Sequence, residues 1–223
     1  MFIPRIRTLV TAVAISATLA FAGTAASAAT TAAVSLNNTP ATVVETKDFS
    51  VGYRFEALQN LSVTALGAYD AGLDGFAGRA ELGLFSLSGA LLASATITGA
   101  EGSLVNQFRY ANLISPVMLS AGTEYVLGAW FSERNGIFNS NYGAKEGGRV
   151  SLTSDTIKLL RNRDLPGGGG LVFPSREPSN AHLGTFGPNM LVEVAPVPLP
   201  AGGLLLLGGI GTLAAMRRRS RAA

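Results

Sequence analysis

What most constrains this chain is a rhythm. Between residues 42 and 194, short apolar stretches recur at roughly ten-residue spacing, punctuated by glycine. Within them apolar and small or polar residues alternate with period two, the repeat of a strand with one buried face. Residues 49–55 (FSVGYRF) put Phe49, Val51, Tyr53 and Phe55 on one side. Residues 61–69, 80–87 and 90–98 repeat the pattern, and Ser88-Gly89 between the last two predicts a hairpin. Residues 105–110 set Val105 and Gln107 against Phe108 and Tyr110, and residues 116–119 read as a short edge strand. Residues 124–131 (EYVLGAWF) are the most apolar of the set and belong at the centre of a sheet. Residues 190–194 (MLVEV) close the series. Helical periodicity with caps is confined to one window, residues 154–161. Eight to ten strands so spaced predict an all-β fold, a single jelly-roll-like β-sandwich over residues 42–195.

The character shifts over residues 132–189, which are dense in Gly, Asn, Ser, Arg and Pro and include four glycines in a row at 167–170. Strands are expected there at residues 149–153 and 171–173. A connection this long and glycine-rich inside a compact domain implies either function or disorder.

Both ends read as targeting signals. Arg5 and Arg7 precede an apolar run at residues 9–21, and Ala26-Ser27-Ala28 is a small-residue cleavage site. Residues 1–28 therefore predict a secretory signal peptide, used by the Sec translocon and cut by signal peptidase after Ala28, with residues 29–41 a loose lead-in. At the other end, residues 199–216 carry no charge and would span ~27 Å as a helix, close to the thickness of a bilayer core. Arg217, Arg218, Arg219 and Arg221 follow, as on a cytoplasmic flank. Val197, Pro198, Leu199, Pro200 and Ala201 stand before the span, kept extended by the two prolines.

These targeting segments hold six of the 17 basic residues, which leaves eleven against 14 acidic ones in between. The basic isoelectric point is then a property of the ends, and nucleic-acid binding is not expected. With no cysteine, the exported domain must rely on its core rather than on disulfides. About 165 residues suffice for one such core.

The order Pro motif, apolar span, Arg cluster in residues 197–221 resembles the PEP-CTERM sorting signal of Gram-negative bacteria, in its VPLPA variety. Leu199 stands where the parent motif has Glu. The resemblance implies an exosortase that cuts near the motif and delivers the protein to the cell surface or the exopolysaccharide matrix. A plain membrane anchor through residues 199–216 is the alternative. The order of segments in the domain is also similar to the DUF4082-type domains. It runs through ALGAYD (residues 65–70), LDGF (73–76), LGLFSLSGALLASATI (82–97), FRYANLISPVMLSAGTEYVLGAWF (108–131) and FGPNM (186–190). That resemblance implies a sandwich and brings no catalytic residues with it.

Residues able to carry chemistry are few. His182 has no second His or Cys to share a metal and no nucleophile motif around it. Glu56, Asp70, Asp74, Glu81, Glu101, Glu124 and Glu133 could supply the two carboxylates of a polysaccharide-active hydrolase, but sequence spacing does not show which of them face each other. Asp70 and Asp74, four apart on a glycine-punctuated loop, offer hard oxygen ligands for Ca²⁺, or else each caps its own turn. Trp130 and Tyr142 flank the glycine-rich region, where they would stack on sugar rings or pack in the core. The expectation is an exported, non-catalytic, structural or adhesive surface protein that binds exopolysaccharide. A secreted hydrolase and a calcium or small-ligand module are the rivals.

Overall fold

The computed structural model describes residues 29–36, 44–46, 49–133, 135–139, 152–178 and 185–194. Ala26, Ser27, Ala28, Tyr142, His182, the motif at 197–201 and the arginines at 217–221 lie outside the described residues. Within those residues all regular structure is strand, and no helix is long and apolar enough to cross a membrane.

Two five-stranded antiparallel sheets face each other. The first runs β1 (Thr31–Ala32), β15 (Pro188–Val194), β5 (Leu61–Tyr69), β9 (Phe108–Leu119), β8 (Ser103–Val105). The second runs β13 (Ile157–Pro166), β4 (Phe49–Ala57), β10 (Glu124–Phe131), β6 (Arg79–Ser86), β7 (Leu91–Thr98). Smaller pairings join β2 (Ser35–Leu36) to β12 (Leu152–Thr153), and set β11 (Asn135–Asn139) between β3 (Val44–Thr46) and β14 (Thr185–Phe186).

Alternation decides which side chains meet between the layers. Tyr53 and Phe55 of β4, Leu82 and Leu84 of β6, and Leu127 and Phe131 of β10 are buried against Leu61, Val63, Phe108, Tyr110, Met190 and Val192 of the first sheet. Tyr53 rests on Phe55 and Phe186, at 6.0 and 5.1 Å between ring centres. The apolar strand β10 is central, bonded to β4 on one side and β6 on the other. At the Ser88-Gly89 hairpin, Gly89 has φ +91°, a value a β-carbon would strain.

Four expectations are corrected. The window at residues 154–161 is not helical: β13 starts at Ile157, and a bulge between Leu159 and Arg161 is what breaks its period of two. Residues 105–110 are not one strand, because Asn106 turns the chain at φ +56° between β8 and β9. Residues 116–119 are not a separate strand but the end of β9, beyond a bulge opposite Val63–Ala65 that pushes Ile114 fully into solvent. Residues 171–173 are not a strand either; they belong to a crossing segment described next.

Candidate functional site

The outer face of the second sheet is covered by the chain itself. In β4, β10 and β6 the residues turned away from the core are Ser50, Gly52 and Arg54; Val126, Gly128 and Trp130; Glu81, Gly83 and Phe85. Gly52, Gly128 and Gly83 are register partners, so a furrow without side chains runs across three strands. Residues 167–178 leave the end of β13, cross this face and return to the same strand, where Asp164 and Arg176 exchange two backbone hydrogen bonds of 3.0 Å.

The floor holds this strap by its backbone. Glu81 Oε2 accepts from the Leu171 N–H at 2.8 Å, and Ser50 Oγ accepts from the Val172 N–H at 3.0 Å. Trp130 Nε1 donates to the Gly168 carbonyl at 3.2 Å. Phe173 meets Phe85 edge-on, 5.4 Å between ring centres. A β-carbon on Gly83 would come within 2.8 Å of Leu171 Cδ2, and one on Gly128 within 3.1 Å of the Pro174 ring. The glycines are what let the strap lie this close. Gly167 and Gly168, at φ +90° and +107°, allow the chain to turn onto the face.

Charge closes both ends. Arg79 Nε donates to Glu81 Oε1 at 2.7 Å while its guanidinium lies 5.4 Å above the Trp130 ring. Burial works to raise the Glu81 carboxyl, but the Leu171 N–H and Arg79 outweigh it and hold the group below the ordinary glutamate value. At the return end Arg176 grips Asp164 with both prongs, at 2.6 and 2.8 Å. Glu177 accepts from Arg54 at 2.9 Å and pairs with Arg163 at 2.8 Å. Burial holds the Arg163 guanidinium below the usual arginine range, with Glu177 acting against it.

Trp130 is therefore a covered residue, only 4% exposed under Arg79 and the strap, and offers no open ring face to a sugar. Asp70 is also buried, and the structure joins it to Arg109. Oδ2 receives Arg109 Nε and Nη2 at 2.9 Å each, and the Gly75 N–H at 3.0 Å. The remaining guanidinium bonds reach the carbonyls of Ala100 and Leu73. Asp74 is exposed on the same loop, its carboxylate beside Gly72. Among the described residues no three His, Asp or Glu side chains gather as a metal would need. Of the other acids, Glu124 pairs with Arg54 at 3.5 Å. Arg109 and the strap contacts were invisible in the sequence, since Asp70 and Arg109 are 39 residues apart and Glu81 and Leu171 are 90 apart.

No curated protein sequence matches the chain. A family model, described as a domain of unknown function, DUF4082, matches residues 37–158, from before β3 to the first residues of β13. Most of β13, the strap and β15 lie beyond the matched stretch. With more than half of its 223 residues matched, the chain belongs to the DUF4082 family.

Proposed function

We propose that the protein is exported, sorted through its C-terminal signal to the cell surface or extracellular matrix of a Gram-negative bacterium, and serves there as a non-catalytic structural or adhesive module associated with exopolysaccharide. The observation that carries this reading is the ordered set at residues 197–221: Pro motif, uncharged span and Arg cluster, with a leader-like segment at residues 1–28. Two features of the fold support it. The tail continues from β15, which is bonded to β1 on one side and β5 on the other, so a pull on the C-terminus loads two ladders in shear. Asp70, Glu81 and Glu124 each face an arginine, an arrangement suited to holding a fold together rather than to proton transfer.

The test is processing of the full chain in a Gram-negative host with and without an exosortase. With the enzyme, intact mass of the surface or matrix fraction should show an N-terminus at Ala29 and loss of everything after residues 197–201. Without it, the uncut tail should keep the protein in the inner membrane. Full-length chain with the Arg cluster attached, recovered from exosortase-bearing cells, would reduce the tail to a plain anchor and overturn the sorting reading.

A further inference from the structure

A sheet edge is a row of unpaired N–H and C=O groups, and proteins ordinarily blunt it with charge, proline, bulges or shortness. Among the described residues three of the four edges of this sandwich are blunted. β1 has two residues and β8 three. The part of β9 that runs past β8 carries a bulge and Pro116. β13 bears Lys158, Arg161, Arg163 and Asp164, is bulged, and is bridged by Arg176.

β7 is neither short nor charged nor interrupted by proline, and its one bulge, at Leu92, sits near its start and leaves residues 93–98 regular. Three of its eight residues, LLASATIT, are β-branched. Its ladder to β6 fixes which backbone groups are free. The Gly99 N–H donates to the Gly78 carbonyl, continuing the register Arg79↔Thr98, so Ile97, Ala95 and Ala93 turn their backbone groups toward β6. Ser94, Thr96 and Thr98 therefore turn theirs outward, and their side chains are exposed. Beside them Leu91 and Leu92 are 54% and 39% exposed.

The geometry points to β7 as a docking edge for a second copy of this chain, paired antiparallel about a two-fold axis through Ala95, which sets Ser94 opposite Thr96 of the other copy. That register lets Ser94 of each copy exchange backbone hydrogen bonds with Thr96 of the other and overlaps residues 92–98. A copy of the same strand is the fitting partner because an uncharged edge meets itself with no like charges opposed. The two second sheets become one continuous ten-stranded sheet. Each copy has one such edge, so association stops at two. Strand pairing alone buries little area beside a standard interface of ~1,600 Å² in total, and the dimer is accordingly concentration-dependent.

The experiment is sedimentation of the full chain in detergent over a hundredfold concentration range, for wild type, Ser94→Lys, Thr96→Lys and the exposed-turn control Ser120→Lys. Wild type and control should dimerise, and both edge variants should stay monomeric while melting within a few degrees of wild type. Because the chain has no cysteine, a second arm mixes chains carrying Ser94→Cys with chains carrying Thr96→Cys. Mild oxidation should crosslink the mixture several-fold more than either chain alone. A wild type that is monomeric throughout, one that grows beyond two, or a dimer that survives both edge lysines would overturn the proposal. So would a mixture that crosslinks no better than its components.

Discussion

Arg109 is the single residue whose loss should be felt furthest. Its buried guanidinium ties β9 to the loop after β5 and to the turn after β7 in one move. Removing it strands the Asp70 carboxylate, 1% exposed and with Oδ1 already lacking a partner, in a medium that disfavours charge. Arg109→Met should cost about 3–5 kcal/mol, which in a domain of this size lowers the melting temperature by on the order of 10 °C. Adding Asp70→Leu should recover much of that loss, because no charge then remains to be buried unpaired. Thermal melts of the wild type, the single and the double variant check this. A double variant no better than the single would place the cost in packing instead. The sequence pointed to Asp70 as special, yet it offered a metal ion or its own turn as partner. Its arginine comes from a strand far along the chain, and only the topology brings them together.

At the scale of elements, the strap is held by a few polar groups on a floor of glycines, and its state has a built-in reporter. Trp130 is the only tryptophan and lies beneath it. Glu81→Ala deletes the acceptor for Leu171 and the partner of Arg79 together, and should shift Trp130 emission to the red and raise its quenching by iodide. Gly128→Val, which would push on Pro174, should do the same. The pH dependence follows from the sign of the Glu81 shift. Its carboxyl is held below the ordinary value in the folded state. The stabilisation is therefore complete above the unfolded value of about 4.3 and is lost as pH falls through the lower folded value. Wild-type emission should be flat from neutral pH to about 4.3 and shift below it, a step that Glu81→Ala should lack. An identical acid shift in that variant would dissociate the strap from Glu81. The composition of residues 167–178 was legible as unusual, but where they dock was not. Gly52, Gly83 and Gly128 sit in separate strands, and their alignment is a fact of register. β13 was obscured for a related reason: the Leu159-Leu160 pair at its bulge mimics a helical spacing.

For the whole molecule, β5 and β10 were readable to the residue from their apolar runs and flanking turns, even though β5 carries a bulge at Thr64. What stayed hidden was set by pairing, such as which edges end up bare and which polar groups end up inside. Tyr53 and Tyr110 show the consequence for stability. Both lie fully buried between the sheets, and the Tyr53 hydroxyl has no hydrogen-bond partner among the described residues. Burial drives both phenols far above their ordinary value of about 10, with mutual repulsion adding to it at Tyr53 and the neighbouring Asn189 opposing it at Tyr110. A raised folded value means that the native state keeps its proton where the unfolded chain releases it. The associated stability is thus intact below pH 10 and falls above it, by about 1.4 kcal/mol per pH unit for each tyrosine. Two such groups should remove roughly 5 kcal/mol between pH 10 and 12, a large share of the stability of an ordinary domain. Tyr53→Phe should leave stability near pH 7 unchanged or slightly higher, since it deletes a buried hydroxyl with no partner. It should also make the alkaline slope shallower by Tyr53's share, with Tyr110 and Tyr69, both also raised, still contributing. Urea melts from pH 7 to 12 on wild type and Tyr53→Phe measure both. A variant whose alkaline limb is as steep as the wild type's would show that Tyr53 does not ionise on unfolding in that range, and the linkage would have to be sought in other groups.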